Sequence, residues 1–257
     1  MRIIPTLTAA AVALATLAGA AHAQETVRIG VDATYPPFES VDAAGNFQGF
    51  SIDIANALCQ RMNVTCEFMN QDWEGIIPAL QANKFDAIIS SMSITPERKE
   101  QVNFTNKYYN TPPAVAVPKD SDITGITPED LEGKTIGAQA STIHANYIQE
   151  VLTGSELRAY PSADEYKLDL INGRLDAAVD DVNVLGQWVK TEEGACCKIV
   201  GTITPILEIH GEGAGIALRK DDTELRDRFN KAIEEIRADG TYKAINDKYF
   251  DFDAYGG

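Results

Sequence analysis

The sequence predicts an α/β fold whose sheets are mainly parallel and covered by helices. Three observations predict it. Short apolar strands alternate with amphipathic helices from Thr26 to about Val200, the order that places successive strands parallel to one another. The helical stretches repeat apolar residues with a turn of 3.6, as Ala55, Leu58, Cys59 and Met62 do at i, i+3, i+4 and i+7. With 257 residues and 44% hydrophobic composition, the chain can bury one large core or two modest ones and is not a disordered segment.

In order, residues 27–31 read as a strand, 66–69 as a second, 73–82 as a helix and 87–90 as a buried strand. Thr95-Pro96 then opens a helix, with Thr95 as N-cap and Pro96 at the first helical position. Strands at 115–117, 135–138, 157–160 and 177–179 alternate with helices at 143–151, 164–172 and 182–189. Residues 213–218 are a further strand. Leu225, Phe229, Ala232, Ile233 and Ile236 stripe a long helix, and a short one spans 242–249. No solenoid repeat and no low-complexity tract interrupts the pattern.

The first segment stands outside this alternation. Arg2, an Ala-rich apolar run at 7–18 and the small-x-small triplet Ala21-His22-Ala23 fit a secretory leader of residues 1–23, removed on export. The run is shorter than the roughly 20 residues of a membrane span, and no later stretch is apolar enough to cross a bilayer. Charge narrows the partners. Lys and Arg number 22 against 38 Asp and Glu, a formal net charge of −16. Such a chain is ill-suited to a polyanion, so no nucleic acid is expected; a cationic ligand is permitted but not required.

Export would expose Cys59, Cys66, Cys196 and Cys197 to an oxidising compartment. Cys59 falls near the end of a predicted helix and Cys66 opens the next strand, which favours a Cys59–Cys66 bridge closing a short loop. The adjacent Cys196 and Cys197 are equally compatible with a strained bond and with two thiols. None of these spacings suits zinc, and three His residues, one of them in the leader, give no metal site; no cofactor is expected.

Ligands of open parallel sheets bind beyond the carboxyl ends of strands, and four post-strand segments there are chemically unusual. Asp32–Phe38 presents a carboxylate and Tyr35 on a Pro-rich turn. Ser90–Arg98 offers Ser90, Ser91, Ser93 and free amides ahead of a helix, with Arg98 in its first turn. A cation there opposes the helix dipole, which a bound carboxylate would offset, and the planar fork of Arg meets a carboxylate with two parallel hydrogen bonds. Gln139–Thr142 supplies a second set of helix-start amides. Asp180-Asp181 ends a buried strand, where paired carboxylates are costly unless a positive group meets them. Trp73, at a helix start, could sandwich a flat or cationic group with Tyr35. Taken singly, each has an ordinary reading: surface Asp, solvated Arg, core Trp, or helix caps at Ser141, Thr142 and Asp181. Taken together they form complementary sets. Ser93, Arg98 and Thr142 suit a carboxylate, Asp32 and Asp181 suit ammonium or guanidinium, and two aromatics suit the stem between.

Five segments, GVDATYPPFES (30–40), GFSIDI (49–54), DAIISSMSIT (86–95), GRLDAA (173–178) and RADGTYKAINDKYFDFDAYGG (237–257), closely resemble the periplasmic lysine/arginine/ornithine- and histidine-binding proteins, members of family 3 of the ABC-transporter solute-binding proteins. The resemblance runs from about Val27 to Gly257. It implies a type II periplasmic binding protein: two α/β lobes, residues 24–111 with 210–257 and residues 112–209, joined by two crossover strands. It implies that Arg98 clamps the ligand α-carboxylate with Ser93 and the Thr142 amide. Ser90, Ser91 and Asp181 would hold the α-amino group, Tyr35 and Trp73 would stack on the side chain, and Asp32 would face its distal charge. Cys59 and Cys66 match the family's small disulfide loop. The implied activity is periplasmic delivery of a cationic amino acid (arginine, lysine, ornithine or histidine) to an inner-membrane ABC permease by a monomer. Trp73 stands where opine-binding relatives carry Trp, which keeps an octopine- or nopaline-like ligand open. Ala138, Ala140 and Asp180 depart from the family pattern, and Cys196-Cys197 has no counterpart in it. Some relatives resemble periplasmic dehydratases of prephenate or arogenate, for which Asp180 or Asp181 would be the acid. No nucleophile–base pair accompanies them, so no enzymatic activity is expected. A sensory receptor module would need a membrane segment or signalling domain that the sequence does not contain.

Overall fold

The computed structural model describes residues 24–256; the expected leader, 1–23, lies outside the described residues. Two five-stranded sheets organise the chain. In the first, Thr65–Asn70, Thr26–Val31 and Ala87–Ile88 run parallel, followed by Ala214–Leu218, which is antiparallel to its neighbours, and then Asn103–Tyr109. In the second, Glu156–Tyr160, Thr135–Gln139 and Ala177–Asp181 are parallel, then Pro113–Pro118 and Cys197–Thr202 alternate in direction. The chain passes from first to second sheet between Tyr109 and Pro113, and returns between Thr202 and Ala214. These two crossings give the two-lobed architecture expected. A small hairpin sheet of Thr34–Tyr35, Glu39–Val41 and Phe47–Gln48 leans on the first lobe.

Each lobe has its own core. Ile29, Phe38, Phe50, Leu58, Phe229 and Ile236 pack between the first sheet and the helices Phe50–Met62 and Thr223–Ala238. Val115, Ile136, Ile148 and Val179 fill one side of the second sheet, and Tyr166, Leu170 and Trp188 the other. Close approach dictates one residue here. A Cβ on Gly30 would lie 2.5 Å from the Phe85 ring, so only glycine lets the strand Thr26–Val31 pass under it. The expected bridge is present: Cys59, on the helix Phe50–Met62, is bonded to Cys66 on the adjoining strand.

Three local expectations are corrected, and two strands were not expected. The helix expected at 73–82 is a 3₁₀ turn, Trp73–Gly75, followed by the helix Ile76–Gln81; Pro78 is accommodated because it falls in the first turn, where no donor is needed. The strand expected at 87–90 stops at Ile88, before Ser91, which takes a left-handed φ of 54°. The strand expected at 177–179 continues through Asp181, pairing Asp180 with Ala114 and Asp181 with Pro113. Those carboxylates therefore occupy the strand's last two positions and do not follow it. The strands Asn103–Tyr109 and Cys197–Thr202 lack the apolar run that would announce them; both have register irregularities in their pairings.

Candidate functional site

A cleft with about 850 Å³ of empty space lies between the lobes, and all nine residues singled out from the sequence line it. Asp32 and Tyr35 come from the turn after Thr26–Val31. Trp73 comes from the 3₁₀ turn, and Ser90, Ser91, Ser93 and Arg98 from the turn and helix after Ala87–Ile88. Thr142 and Asp181 come from the second lobe. The carboxyl ends of parallel strands from both lobes thus face one another, as the open-sheet rule requires.

Arg98 is 9% exposed. Its Nη1 donates to the carbonyl of Ser93 at 3.1 Å, and Nη2 donates across the cleft to the carbonyl of Ser141 at 3.2 Å. It lies over the Trp73 ring, 5.2 Å from its centroid. Among the described residues no carboxylate pairs with it. Burial pushes it down to about 10, still cationic at neutral pH, so this end of the cleft is a desolvated positive charge that an anion would satisfy. Trp73 Nε1 donates to the same Ser141 carbonyl at 3.1 Å. Thr142 caps the helix Ile143–Glu150: its hydroxyl accepts from the Ala145 amide and donates to the Gln139 carbonyl.

The cleft is also lined by carboxylates. Asp32 is buried, and its carboxylate accepts from Thr34 at 2.9 Å and from Gln139 of the second lobe at 3.0 Å. Burial raises its carboxyl. The Asp32 amide donates to Ser90 Oγ at 2.9 Å. Asp181 accepts from the Thr111 hydroxyl and caps the helix Val182–Trp188 through the Asn183 amide at 2.7 Å. The capping reading and the cleft-facing reading of Asp181 are therefore both realised in one side chain. Burial pushes it up to about 6.

Several residues of the site escaped sequence reasoning. Glu39 is 1% exposed and lines the cleft. Ser91 Oγ donates to its Oε2 at 3.0 Å, while Oε1 has no hydrogen-bond partner among the described residues. Burial, against the pull of the Ser51, Ser91 and Ser90 hydroxyls, pushes Glu39 up to about 8. Its only sequence signal was its place within the GVDATYPPFES segment. Asp180, singled out with Asp181 from the sequence, has partners that were not: Tyr35 and Tyr166 hydroxyls donate to it, and His144 Nε2 lies 3.2 Å away. Burial alone would raise it, but His144 and the two hydroxyls bring it below the usual carboxylate range. Tyr166 and His144 sit on the inward faces of helices, where nothing in the local sequence distinguishes them from core residues. Gln139, Thr111 and His210 also line the cleft; burial pushes His210 down to about 4, so it is neutral there.

The sequence and the fold both have known relatives. The sequence pattern of the bacterial extracellular solute-binding proteins, family 3, matches residues 27–252. The L-arginine-binding protein of Pseudomonas aeruginosa is 47% identical over 237 residues, 91% of each chain. The histidine-binding periplasmic protein of Escherichia coli is 43% identical over 246 residues, 95% of this chain and 94% of that protein. Among solved structures, an ancestral arginine-binding protein bound to arginine superposes with a TM-score of 0.82 at 39% identity, covering 89% of this chain and 100% of that one.

Proposed function

The chain belongs to the bacterial extracellular solute-binding proteins, family 3, and on that premise we propose that it binds a cationic amino acid (arginine, lysine, ornithine or histidine) in the cleft between its lobes and delivers it to an inner-membrane ABC permease. One observation carries the reading. A buried guanidinium with no carboxylate partner among the described residues, Arg98, shares the cleft with four buried carboxyls, Asp32, Glu39, Asp180 and Asp181. A zwitterion with a basic side chain complements both kinds of group, whereas a neutral side chain would leave the carboxyls unmatched.

In this reading Arg98 clamps the α-carboxylate through its remaining N–H donors, helped by Ser93 and the Thr142 amide. Asp181, with Ser90 and Ser91, takes the α-ammonium. The stem passes Tyr35 and Trp73, and Asp32 meets the distal cation. Residues 24–111 with 210–257 form one lobe and 112–209 the other, and bound ligand holds them together. The lobes are already bridged by Trp73 and Arg98 to Ser141, by Gln139 to Asp32 and by Tyr35 to Asp180. The ligand thus adds to a closure the protein supports by itself. The protein works in the periplasm as a monomer, after loss of residues 1–23, and binds no nucleic acid. It catalyses no reaction: the carboxyls of the cleft bind the ligand rather than transfer protons.

A thermal-shift and calorimetry panel over the common amino acids and opines tests the reading. A basic amino acid should raise the melting temperature most, through a stabilisation of ~2.7 kcal/mol at a hundredfold excess over Kd. Preference for a neutral or acidic amino acid would overturn it, preference for an opine would shift the substrate to that class, and phenylpyruvate formation from prephenate would establish an enzyme.

A further inference from the structure

Two cysteines take no part in the cleft or in the structural bridge. Cys196 ends a 3₁₀ turn, Glu193–Cys196, and is exposed; Cys197 opens the strand Cys197–Thr202 and is buried. Their sulfurs are 2.9 Å apart, inside ordinary van der Waals contact. The segment is anchored on both sides of the pair. The Lys119 amide donates to the Cys196 carbonyl at 2.8 Å, and Cys197 pairs with Pro118 in the sheet. Cys197 also packs in the second-lobe core with Leu185 and Trp188. Backbone and core together hold two thiols sulfur to sulfur, with one presented to solvent.

We propose that Cys196 and Cys197 form a reversible vicinal dithiol–disulfide site that exchanges with small thiol and disulfide compounds. The exposed Cys196 thiolate attacks one sulfur of an oxidised thiol, RS–SR, and expels one RS⁻. Cys197 Sγ then attacks Cys196 Sγ, its proton passes to solvent, and the second RS⁻ leaves. Two cysteine thiols become one disulfide, and RS–SR is reduced to two thiols. Burial, with the contact to Cys196, pushes Cys197 up to about 12, so the second step is the slower and a mixed disulfide on Cys196 precedes the ring. Adjacent Cα atoms lie about 3.8 Å apart, less than the usual roughly 4.4–6.8 Å of a disulfide, whereas those of Cys59 and Cys66 are 5.9 Å apart. The vicinal bond is therefore the more easily reduced of the two.

The full-length secreted protein, prereduced at this pair with mild dithiothreitol, would be incubated with oxidised glutathione, alkylated and digested for mass spectrometry. The peptide holding both cysteines should first carry glutathione, then become lighter by two hydrogens and refractory to alkylation. It should reopen at a dithiothreitol concentration that leaves Cys59–Cys66 closed. The exposed-site variant Cys196→Ser should take up no glutathione. The proposal fails if both thiols stay alkylatable, if glutathione remains on Cys196 without ring closure, if Cys196 bridges a second chain instead, or if the pair resists reduction as strongly as Cys59–Cys66.

Discussion

Arg98 Nη2 donates to the carbonyl oxygen of Ser141 across the cleft, so the guanidinium of one lobe is fastened to the backbone of the other. Ser141 adopts a left-handed φ of 59°, and its carbonyl also accepts from Trp73. One backbone atom thereby gathers the cation proposed to hold the ligand and the aromatic beside it.

Replacing Arg98 by Ala removes both the proposed carboxylate clamp and a lobe-to-lobe contact. Calorimetry should show a loss in affinity of at least about 100-fold, or ~2.7 kcal/mol. Arg98→Lys should recover only part of this, because a point charge cannot make two parallel bonds. Affinity near that of the wild type would remove Arg98 from the site.

Trp73 contributes its ring to Arg98 and its indole N–H to Ser141. Trp73→Phe keeps a ring and loses the donor. A fall of about threefold to tenfold in affinity is expected, corresponding to one net hydrogen bond. An unchanged Kd would mean that the Ser141 contact adds nothing to closure.

Glu39 gives the protein a pH-dependent stability. Its carboxyl is raised in the folded state, so the protonated form is the one the fold favours. The stabilising contribution is full below about pH 4.5 and is lost as pH rises through about 8, a change on the order of several kcal/mol. Glu39→Gln removes that loss. Its melting temperature should exceed that of wild type at pH 8 by at least about 4 °C and match it more closely near pH 4. The same change should weaken binding of a basic amino acid. Equal melting profiles across this range would show that Glu39 is ionised without penalty.

Asp181 is raised to about 6, and an incoming ammonium favours its ionised form. Binding between pH 4 and 6 should therefore release protons, and affinity should climb as pH rises through that interval. Asp181→Asn keeps a helix-capping side chain and should weaken this climb, leaving the part carried by Asp32 and Glu39. Calorimetry in buffers of different ionisation enthalpy measures the proton directly, and a binding heat independent of buffer at pH 5 would contradict the assignment.

The Cys59–Cys66 bridge spans a sequence separation of 7. For so short a loop the chain-entropy relation gives about 2.5 kcal/mol. The double variant Cys59→Ser/Cys66→Ser should lose about that much in denaturant unfolding, with little change in ligand affinity.

Much of the site was legible because its groups follow strands of a recognisable βαβ order. Asp32, Ser90, Arg98 and Thr142 could be found by reading what comes after each strand. Glu39 was not legible, since it belongs to a short hairpin and only the fold buries it against Ser91, 52 residues away. Asp180 and Asp181 were recognised as unusual, but their division of labour was not. Only packing shows that Tyr35, Tyr166 and His144 engage Asp180, while Asp181 keeps Thr111 and the cleft.

By itself the sequence determined the alternating α/β order, the short disulfide loop, and which chemical groups stand at strand ends, because periodicity and capping are local properties of neighbouring residues. Tertiary structure alone decided which of those groups share a cleft, which carboxyls stay protonated, and that Cys196 and Cys197 meet sulfur to sulfur. Burial and the convergence of two lobes depend on residues dozens to more than a hundred positions apart, as Asp32 and Gln139 are, and no local pattern encodes their distance.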